Sequence, residues 1–382
     1  MNIAILTADI YGSATKSIIN AGEKRGHTMS ILNPADLYIY ISEKESGFDK
    51  VYNGKNHFVE PERVKAREID AIIPRIGANL EYGCTCLEHF TRNLDIYATQ
   101  NADGLKATAN KLVSLQRFSQ AKLKVPTTVM CDRAPHVKWL LKMVGGLPAI
   151  AKSLYGSQGK AVYILNEPLQ TNTFLRNFYD KKEKLLIQQF IDGGSKDIRC
   201  IVINGKVVVA MERTAKKGEL RANISQGGSG RKVELSKEDQ EIAIKGARSC
   251  GLEVAGVDLM KDPDGNTYVI ESNGNYGYHI EEITGVDIST PLIEMCEQNY
   301  KKKGKGSETV VKAEDINPNN PPLPMRDPNA PVNTNPVGTP KRLYPGKEEE
   351  EPEEEPEEEA SAEEAKKFMD SYKQHKRIGL FR

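Results

Sequence analysis

The chain has 382 residues, enough for two or three domains, and 38% of them are hydrophobic. No apolar run approaches the about 20 residues that a membrane-spanning helix needs, and the first residues lack the basic and apolar regions of a signal peptide. None of the six cysteines shows the paired spacing of a zinc site, so we expect reduced thiols in a cytoplasmic protein without a membrane segment.

Charge is unevenly distributed along the chain. Residues 348–364 contain twelve glutamates and no basic residue, so the rest of the chain carries a net charge of +12. This balance favours an anionic ligand such as a nucleotide or a glutamate-rich peptide. No basic stripe interleaved with aromatic residues is present, so we do not expect nucleic-acid binding.

Strand and helix patterns alternate in the first 98 residues. Apolar stretches at residues 3–6, 28–32 and 69–74 predict strands, and Ser13 is placed to cap the first helix. This order predicts a small parallel sheet in an N-terminal domain of residues 1–98. No Gly-x-Gly-x-x-Gly follows the first strand, which argues against a dinucleotide site there.

A helical pattern at residues 101–124 opens the next region, which we assign to a central subdomain of residues 99–188. Lys152 lies at the end of a predicted strand and precedes a glycine-bearing loop at residues 155–160. Such a lysine can hold phosphate as a point charge, and the loop can cover phosphates as a lid. The alternative is an ordinary hairpin turn.

Two predicted hairpins concentrate charge. In the second, a two-residue Asp264-Gly265 loop places Asp258 opposite Glu271, with Asn273 on the same face. Opposed carboxylates are destabilising unless a cation lies between them, and oxygen ligands suit Mg²⁺ or Mn²⁺. The alternative is a solvated hairpin with incidental acids.

In the first of these hairpins, Asn204-Gly205 is the predicted loop. Its register places Asp197 opposite Glu212, with Arg199 on the same face. The alternative is a surface ladder of ion pairs. We assign both hairpins to a C-terminal subdomain of residues 189–304.

The segment Arg221-Ala222-Asn223 lies among the strands, before two glycines. An arginine there could stabilise charge on a transferred phosphoryl group. The alternative is an exposed loop arginine.

The end of the chain has a different composition. Residues 318–345 contain nine prolines and almost no apolar periodicity, and the glutamate run follows them. We therefore predict a disordered tail of residues 305–382. A short helix near residues 365–372 has an apolar face suited to docking a protein partner. The tail is either a solvated spacer for this helix or a segment that folds back into a basic groove.

Taken in order, these pieces resemble the ATP-grasp superfamily, and specifically the RimK-like ligases that add glutamate to a ribosomal protein's C terminus. The resemblance spans about residues 1–295. The stretches that carry it are Pro74-Arg75-Ile76-Gly77, Asn110-Lys111-Leu112, Ala151-Lys152, Gln188-Gln189-Phe190-Ile191, Asp197-Ile198-Arg199-Cys200, Arg221-Ala222-Asn223, Val254-Ala255-Gly256-Val257-Asp258 and Glu271-Ser272-Asn273.

This resemblance implies an α/β fold of the α+β ATP-grasp type. A small N-terminal parallel-sheet domain would precede two α+β subdomains that sandwich ATP. The implied ATP ligands are Lys111 and Lys152 on the phosphates, Gln189 and Phe190 on adenine, Asp197 on ribose, and Arg221, Ala222 and Asn223 along the phosphates. The implied ligands of two Mg²⁺ or Mn²⁺ ions are Asp258, Glu271 and Asn273.

Two departures from the family pattern stand out. Gln189 occupies a position where glutamate is usual, which backbone reading of adenine should tolerate. Residues 274–277 read Gly-Asn-Tyr-Gly, where the family usually has a proline before glycine. Since that loop borders the implied acceptor site, this departure bears on the substrate more than on the chemistry.

The resemblance further implies an enzyme that forms a C–N bond through an acyl phosphate, with Arg221 as the catalytic residue. Its partners would be ATP, an amino acid (glutamate) and a protein or peptide acceptor. The alternatives are a small-molecule amino-acid ligase of the lysine-biosynthesis sort and a non-catalytic nucleotide-binding assembly protein. A homo-oligomer is left open.

Overall fold

The computed structural model describes residues 1–41, 50–54, 60–77, 79–130, 136–155, 162–180, 184–216 and 228–303, all of one structural unit. The predicted tail, with its glutamate run and terminal helix, lies outside these residues. So do most of the predicted lid and all of Arg221, Ala222 and Asn223.

The N-terminal region is built on a parallel sheet, as predicted. Its elements are β1 (Asn2–Thr7), α1 (Ser13–Lys24), β2 (Thr28–Leu32), β3 (Leu37–Ile39), β4 (Val51–Asn53), β5 (Glu62–Arg63), β6 (Ala71–Arg75), α2 (Leu80–Glu88) and β7 (Tyr97–Ala98). The sheet order is β2-β1-β6-β7, and all its pairs are parallel. The helix cap prediction is wrong, because Gly12 is the N-cap and Ser13 is already helical.

The single helix predicted at residues 101–124 is two helices, α3 (Ala102–Ala109) and α4 (Lys111–Gln120). Asn110 separates them, since its Oδ1 accepts hydrogen bonds from the N–H groups of Leu112 and Val113 at 3.1 and 3.2 Å. An asparagine that caps the next helix satisfies donors that a continuous helix would not expose. Lys111 therefore lies in the first turn of α4.

A four-stranded antiparallel sheet follows, in the order β10-β9-β11-β8. Its elements are β8 (Thr128–Met130), α5 (Val137–Met143), β9 (Ala149–Ser153), β10 (Val162–Leu165), α6 (Pro168–Asp180) and β11 (Leu185–Gln189). The two helices and one face of the sheet share an apolar core. Its buried members all lie within this region: Leu140, Leu141, Val144, Ala149, Ala151, Leu165, Leu175, Leu185 and Ile187.

A five-stranded antiparallel sheet completes the described fold, in the order β14-β13-β12-β15-β16. Its elements are β12 (Lys196–Ile203), β13 (Lys206–Thr214), β14 (Ser229–Val233), α7 (Lys237–Ser249), β15 (Val254–Lys261), β16 (Thr267–Asn273), α8 (His279–Thr284) and α9 (Ser289–Lys303). Ser236 caps helix α7, and its hydroxyl accepts a hydrogen bond from the Asp239 N–H at 3.1 Å.

The two faces of this sheet differ. One face packs under α7 and supplies Cys200, Val257, Leu259 and Val269 to an apolar core. The other is apolar at one end, where Ile201, Ile203 and Met211 pack with Ile3 and Ile5 of the N-terminal sheet, and charged at the other end. The charged end adjoins the four-stranded sheet, so the two sheets frame the candidate site.

Gln100 ties this sheet to the N-terminal region. Its buried amide donates to the carbonyls of Val254 and Gly274, both at 2.7 Å. These carbonyls lie at the start of β15 and just past the end of β16. Within the described ranges, no helix has the length and apolarity to cross a membrane.

Candidate active site

The hairpin of β15 and β16 brings the predicted metal ligands to one face of the sheet. Asp258 lies opposite Glu271, and Gly256 lies opposite Asn273. The predicted pairing of the two acids is therefore confirmed. Asp258 is buried, whereas Glu271 and Asn273 are partly exposed.

The predicted pairing of the two acids is present, but the loop is longer than predicted and a bulge lies between the loop and the acids. The loop spans residues 262–266 rather than Asp264-Gly265 alone, so Lys261 lies opposite Thr267. This shifts the pairing by one residue, and a bulge just beyond Asp258 shifts it back. The two differences cancel at the acids.

The hairpin of β12 and β13 corrects the sequence analysis. The predicted Asn204-Gly205 turn is present, with positive φ at both residues. A bulge between Ile201 and Val202 then shifts the register, so Asp197 lies opposite Arg213 and the predicted pairing with Glu212 is wrong. The observed register pairs opposite charges, which is favourable, while the predicted one would have opposed two carboxylates.

Two arginines neutralise Asp258. Arg199 lies opposite it on β12 and donates from Nε and Nη2 to its two oxygens, the second contact at 2.8 Å. Arg213 donates from Nε and Nη2 to Asp197 at 2.6 and 2.7 Å, and its Nη2 is 3.1 Å from Asp258 Oδ1. Arg213 therefore bridges carboxylates of two neighbouring strands.

Burial and ion pairing oppose each other in this network. Burial acts to raise the pKa of Asp258, but Arg199 and Arg213 outweigh it and hold the pKa below its usual value. Asp197 accepts side-chain hydrogen bonds from Arg213, but burial, together with the negative charge of Asp258, prevails and raises its pKa. Asp258 is therefore the acid that stays ionised more readily, as a cation ligand must.

Lys152 approaches the same acids from the other sheet. Its Nζ donates to Gln188 Oε1 at 2.8 Å, and Gln188 in turn donates to Thr128 Oγ1 at 2.8 Å. Burial lowers the pKa of Lys152, while the negative charges of Glu271 and Asp258 act to raise it. The structure thus brings predicted site residues from both sheets within electrostatic range of one another.

Lys111 lies near this group. Its backbone N–H donates to the carbonyl of Leu154 at 3.2 Å, just after β9, and its positive charge acts to lower the pKa of Lys152. Two neighbouring cations are favoured where a polyanion such as a nucleotide phosphate binds between them.

The predicted adenine contacts lie at the end of β11. The Gln189 N–H donates to the Thr127 carbonyl at 2.8 Å, and its Oε1 accepts from the Thr127 N–H at 3.2 Å. Phe190 follows and is half-buried. The side chain and the main-chain N–H of Gln189 thus both hydrogen-bond the main chain of Thr127, just before β8.

The donor set suits a divalent cation that carries phosphates. Two carboxylates and one amide oxygen from Asp258, Glu271 and Asn273 are hard ligands of the kind Mg²⁺ prefers. In the part of the chain that the structure describes, no group of three or more His, Cys, Asp or Glu residues is placed to hold a metal ion.

Sequence analysis did not identify Arg213 or Gln188 as site residues. Arg213 was missed because the bulge in β12 and β13 was not anticipated, although a regular ladder would have left Asp197 facing an acid. Gln188 lies two residues from the position opposite Lys152, on the same sheet face, and only the observed register reveals this.

Comparison with known proteins adds independent information. The model of the RimK PreATP-grasp domain matches residues 1–105, and that of the RimK-like ATP-grasp domain matches residues 108–296. A probable alpha-L-glutamate ligase of Pseudoalteromonas translucida is 34% identical over 307 residues, which cover 80% of this chain and 98% of the relative. The chain belongs to the RimK-like ATP-grasp family.

Other RimK-like relatives are longer. A probable alpha-L-glutamate ligase of Shewanella halifaxensis is 37% identical over 300 residues, covering 78% of this chain but only 62% of the relative. Among solved structures, the ATP-grasp ligase PsnB complexed with a minimal precursor has a TM-score of 0.60 at 17% identity, covering 78% of this chain and 98% of PsnB. The family and fold expected from the sequence are thereby confirmed.

Proposed function

We propose that this RimK-like ATP-grasp protein is an ATP-dependent ligase that joins glutamate to a protein or peptide acceptor. The observation that carries the proposal is that Lys152, from one sheet, lies within electrostatic range of Asp258 and Glu271 from the other. Glutamate is supported by the similarity to probable alpha-L-glutamate ligases. A peptide acceptor is supported by PsnB, which shares the fold and was solved with a precursor.

The nucleotide would lie between the two antiparallel sheets. Lys111 and Lys152 would contact its phosphates, Gln189 and Phe190 its adenine, and Asp197 its ribose. Lys152 supports this arrangement, because among the described residues it has no carboxylate within ion-pair distance and its ammonium donates to Gln188 alone. An ammonium with free donors suits a phosphate oxygen.

Asp258, Glu271 and Asn273 would hold Mg²⁺ or Mn²⁺, and we assign two ions to them. Such a cation would neutralise negative charge that develops on the phosphates during transfer. Arg199 contributes by fixing both oxygens of Asp258 in orientation. Arg221, Ala222 and Asn223 would lie along the phosphates.

The reaction has two steps. An acceptor carboxylate oxygen attacks the γ-phosphorus of ATP, the bond to ADP breaks, and an acyl phosphate forms. The amine of glutamate then attacks the acyl carbon, loses a proton and displaces phosphate. We assign to Arg221 the stabilisation of the transferring group and of the tetrahedral oxyanion, and to the loop at residues 155–160 the exclusion of water.

In this proposal the chain consists of an N-terminal domain of residues 1–98, subdomains of residues 99–188 and 189–304, and a tail of residues 305–382. The cysteines in the described part of the chain are free and buried, which supports a reducing, cytoplasmic location. A homo-oligomer and docking of a protein partner by the tail stay predictions.

Release of ADP in the presence of ATP, glutamate and candidate acceptors tests the function, with mass spectrometry of the product to identify the acceptor. We expect Asp258→Asn and Glu271→Gln to lower the rate on the order of 100-fold or more. Asp264→Asn, in the exposed loop of the same hairpin, is the matched control and should retain the wild-type rate.

Three outcomes would contradict the proposal. Near-normal turnover in Asp258→Asn or Glu271→Gln would remove the assignment of these acids to the cation. Binding of ATP by the wild-type protein without release of ADP, whatever the amino acid and acceptor, would favour the non-catalytic assembly protein. Turnover with small amino acids but no peptide would favour the small-molecule ligase.

A further inference from the structure

Arg75 is a cation beside the candidate site that has no carboxylate partner in the part of the chain that the structure describes. It ends β6, at the carboxyl ends of the parallel strands, where open α/β sheets place their ligands. Its side-chain hydrogen bond runs from Nη2 to the Tyr276 carbonyl at 2.7 Å. Since a guanidinium carries five N–H donors, Arg75 retains the capacity to bind an anion.

Two tyrosines hold this guanidinium in place. The rings of Tyr276 and Tyr278 are parallel within 3°, with centroids 5.9 Å apart, and Arg75 Cζ lies 5.0 and 5.2 Å from them. Both tyrosines are buried, and the Tyr278 hydroxyl accepts from Ser289 Oγ at 3.4 Å. The arginine is therefore oriented before any ligand arrives, which reduces the entropy lost on binding.

Tyr276 also connects Arg75 to the acids. A Cβ on Gly256 would lie 2.7 Å from Tyr276 Cβ and 2.9 Å from Arg199 Nη1, so Tyr276 and Arg199 both lie over this glycine. Gly256 is two residues before Asp258 and shares its sheet face. Tyr276 thus contacts Arg75 and also packs on the strand that carries Asp258.

The ligase reaction proposed above, on which this inference rests, needs a cation in such a place. Only the amine of the incoming amino acid reacts, so its carboxylates stay charged throughout. They would be repelled by ATP phosphates and by Asp258 and Glu271 unless a separate cation binds them. The activated acceptor carboxylate differs, because it becomes an acyl phosphate beside Lys152 and loses its own charge.

We propose that Arg75, oriented by Tyr276 and Tyr278, binds a carboxylate of the incoming amino acid. A guanidinium binds a carboxylate through two parallel hydrogen bonds, which also fixes the direction of the amine. Arg75 would thereby set the affinity for the amino acid without touching the nucleotide.

The test is steady-state release of ADP at saturating ATP and acceptor, with glutamate varied. We expect Arg75→Gln to raise the KM for glutamate about 10- to 100-fold, the loss of a charged hydrogen bond, with the KM for ATP unchanged. Arg75→Lys should raise the KM for glutamate less, because lysine keeps the positive charge and loses only the two parallel hydrogen bonds. Arg92→Gln, a 74% exposed arginine of the same region, is the control and should keep the wild-type KM.

Glutamine as a competing substrate identifies the carboxylate. If Arg75 binds the side-chain carboxylate, Arg75→Gln narrows the preference for glutamate over glutamine. If it binds the α-carboxylate, the substitution weakens both equally. Either result supports the inference.

Binding of labelled glutamate in the presence of a non-hydrolysable ATP analogue gives a second readout that does not require turnover. Arg75→Lys supplies the comparison if Arg75→Gln does not fold, as judged by its thermal unfolding. The inference would be overturned if the KM and the affinity for glutamate were unchanged in Arg75→Gln, or if only the KM for the acceptor rose. Either result would leave the ligase function intact. A wild-type protein that releases no ADP would defeat the function itself, and this inference with it.

Discussion

The two hairpins of the five-stranded sheet handle charge in opposite ways. In the hairpin of β12 and β13, Asp197 faces Arg213, so the strands balance their own charge. In the hairpin of β15 and β16, Asp258 faces Glu271, and neither forms an ion pair within that hairpin. The second hairpin thus carries a surplus of negative charge that its neighbour partly neutralises, and such a surplus is what a cation site requires.

The strongest test of this comparison removes the residue that joins the two hairpins. Arg213→Met should lower the free energy of unfolding by about 3–5 kcal/mol, because Asp197 and Asp258 lose a buried partner. Urea denaturation measures it. The double variant Arg213→Met with Asp197→Leu should recover part of the loss, since one uncompensated charge is gone. A loss below about 1 kcal/mol would show that the network is not a unit.

A second test changes the lysine of the four-stranded sheet that lies near the two acids. Lys152→Met should lower the rate of ADP release on the order of 100-fold, because the cation that we propose to contact the phosphates is lost. The fold should tolerate the change, since burial already disfavours the charged form of this lysine. Lys142→Met, exposed on α5, is the control. Equal activity of the two variants would exclude Lys152 from the site.

A third test separates the two acids of one hairpin. Asp258→Asn should lower the free energy of unfolding by about 1–3 kcal/mol, because two arginines lose a charged acceptor. Glu271→Gln should change it by less than about 0.5 kcal/mol, since Glu271 has no ion pair in the described ranges. Urea denaturation without added metal provides the measurement. Equal losses would mean that Glu271 also belongs to the network.

The smallest effect is expected at an ion pair outside the sheet. Hydrogen bonds from Arg25, and then His27, lower the pKa of Glu297 from 4.5 to about 2. Because the folded pKa is the lower one, the pair stabilises fully above pH 4.5 and loses this effect as the pH falls toward 2. Solvent screening limits the gain to about 1 kcal/mol or less.

Denaturation of the wild type and of Glu297→Gln between pH 3 and pH 7 measures this contribution. The difference between them should be largest near neutrality and shrink as the pH falls. If Glu297→Gln lowered the free energy of unfolding as much as Arg213→Met, burial would not be the reason for the strength of the network around Asp258.

Much of the fold follows from local patterns in the chain. The strands of the N-terminal sheet are short apolar runs, and both hairpins are marked by turn residues, so their existence and direction could be predicted. The site acids could also be placed together, because a tight hairpin relates residues by simple register.

The remainder depends on features without a local signal. Two bulges decide which charges meet, and a bulge is set by packing on both faces of a sheet rather than by its own residues. In the hairpin of Asp258, the bulge restores the register that the longer loop had shifted by one residue. In the hairpin of Asp197, the loop has the predicted length, so the bulge alone shifts the register. The contacts of Lys152 with Gln188 and of Arg75 with Tyr276 join distant strands, and only the folded chain shows them.

The two hydrogen bonds of Gln100 have a mechanical consequence. They fasten both ends of the acid-bearing hairpin to the N-terminal region. The sheet of β8 to β11 has a core of its own but also adds Leu186 to the core beneath the five-stranded sheet. The amide of one buried glutamine therefore ties the strands that carry the acids to a second region of the fold, so that a shift of either strand would strain both hydrogen bonds.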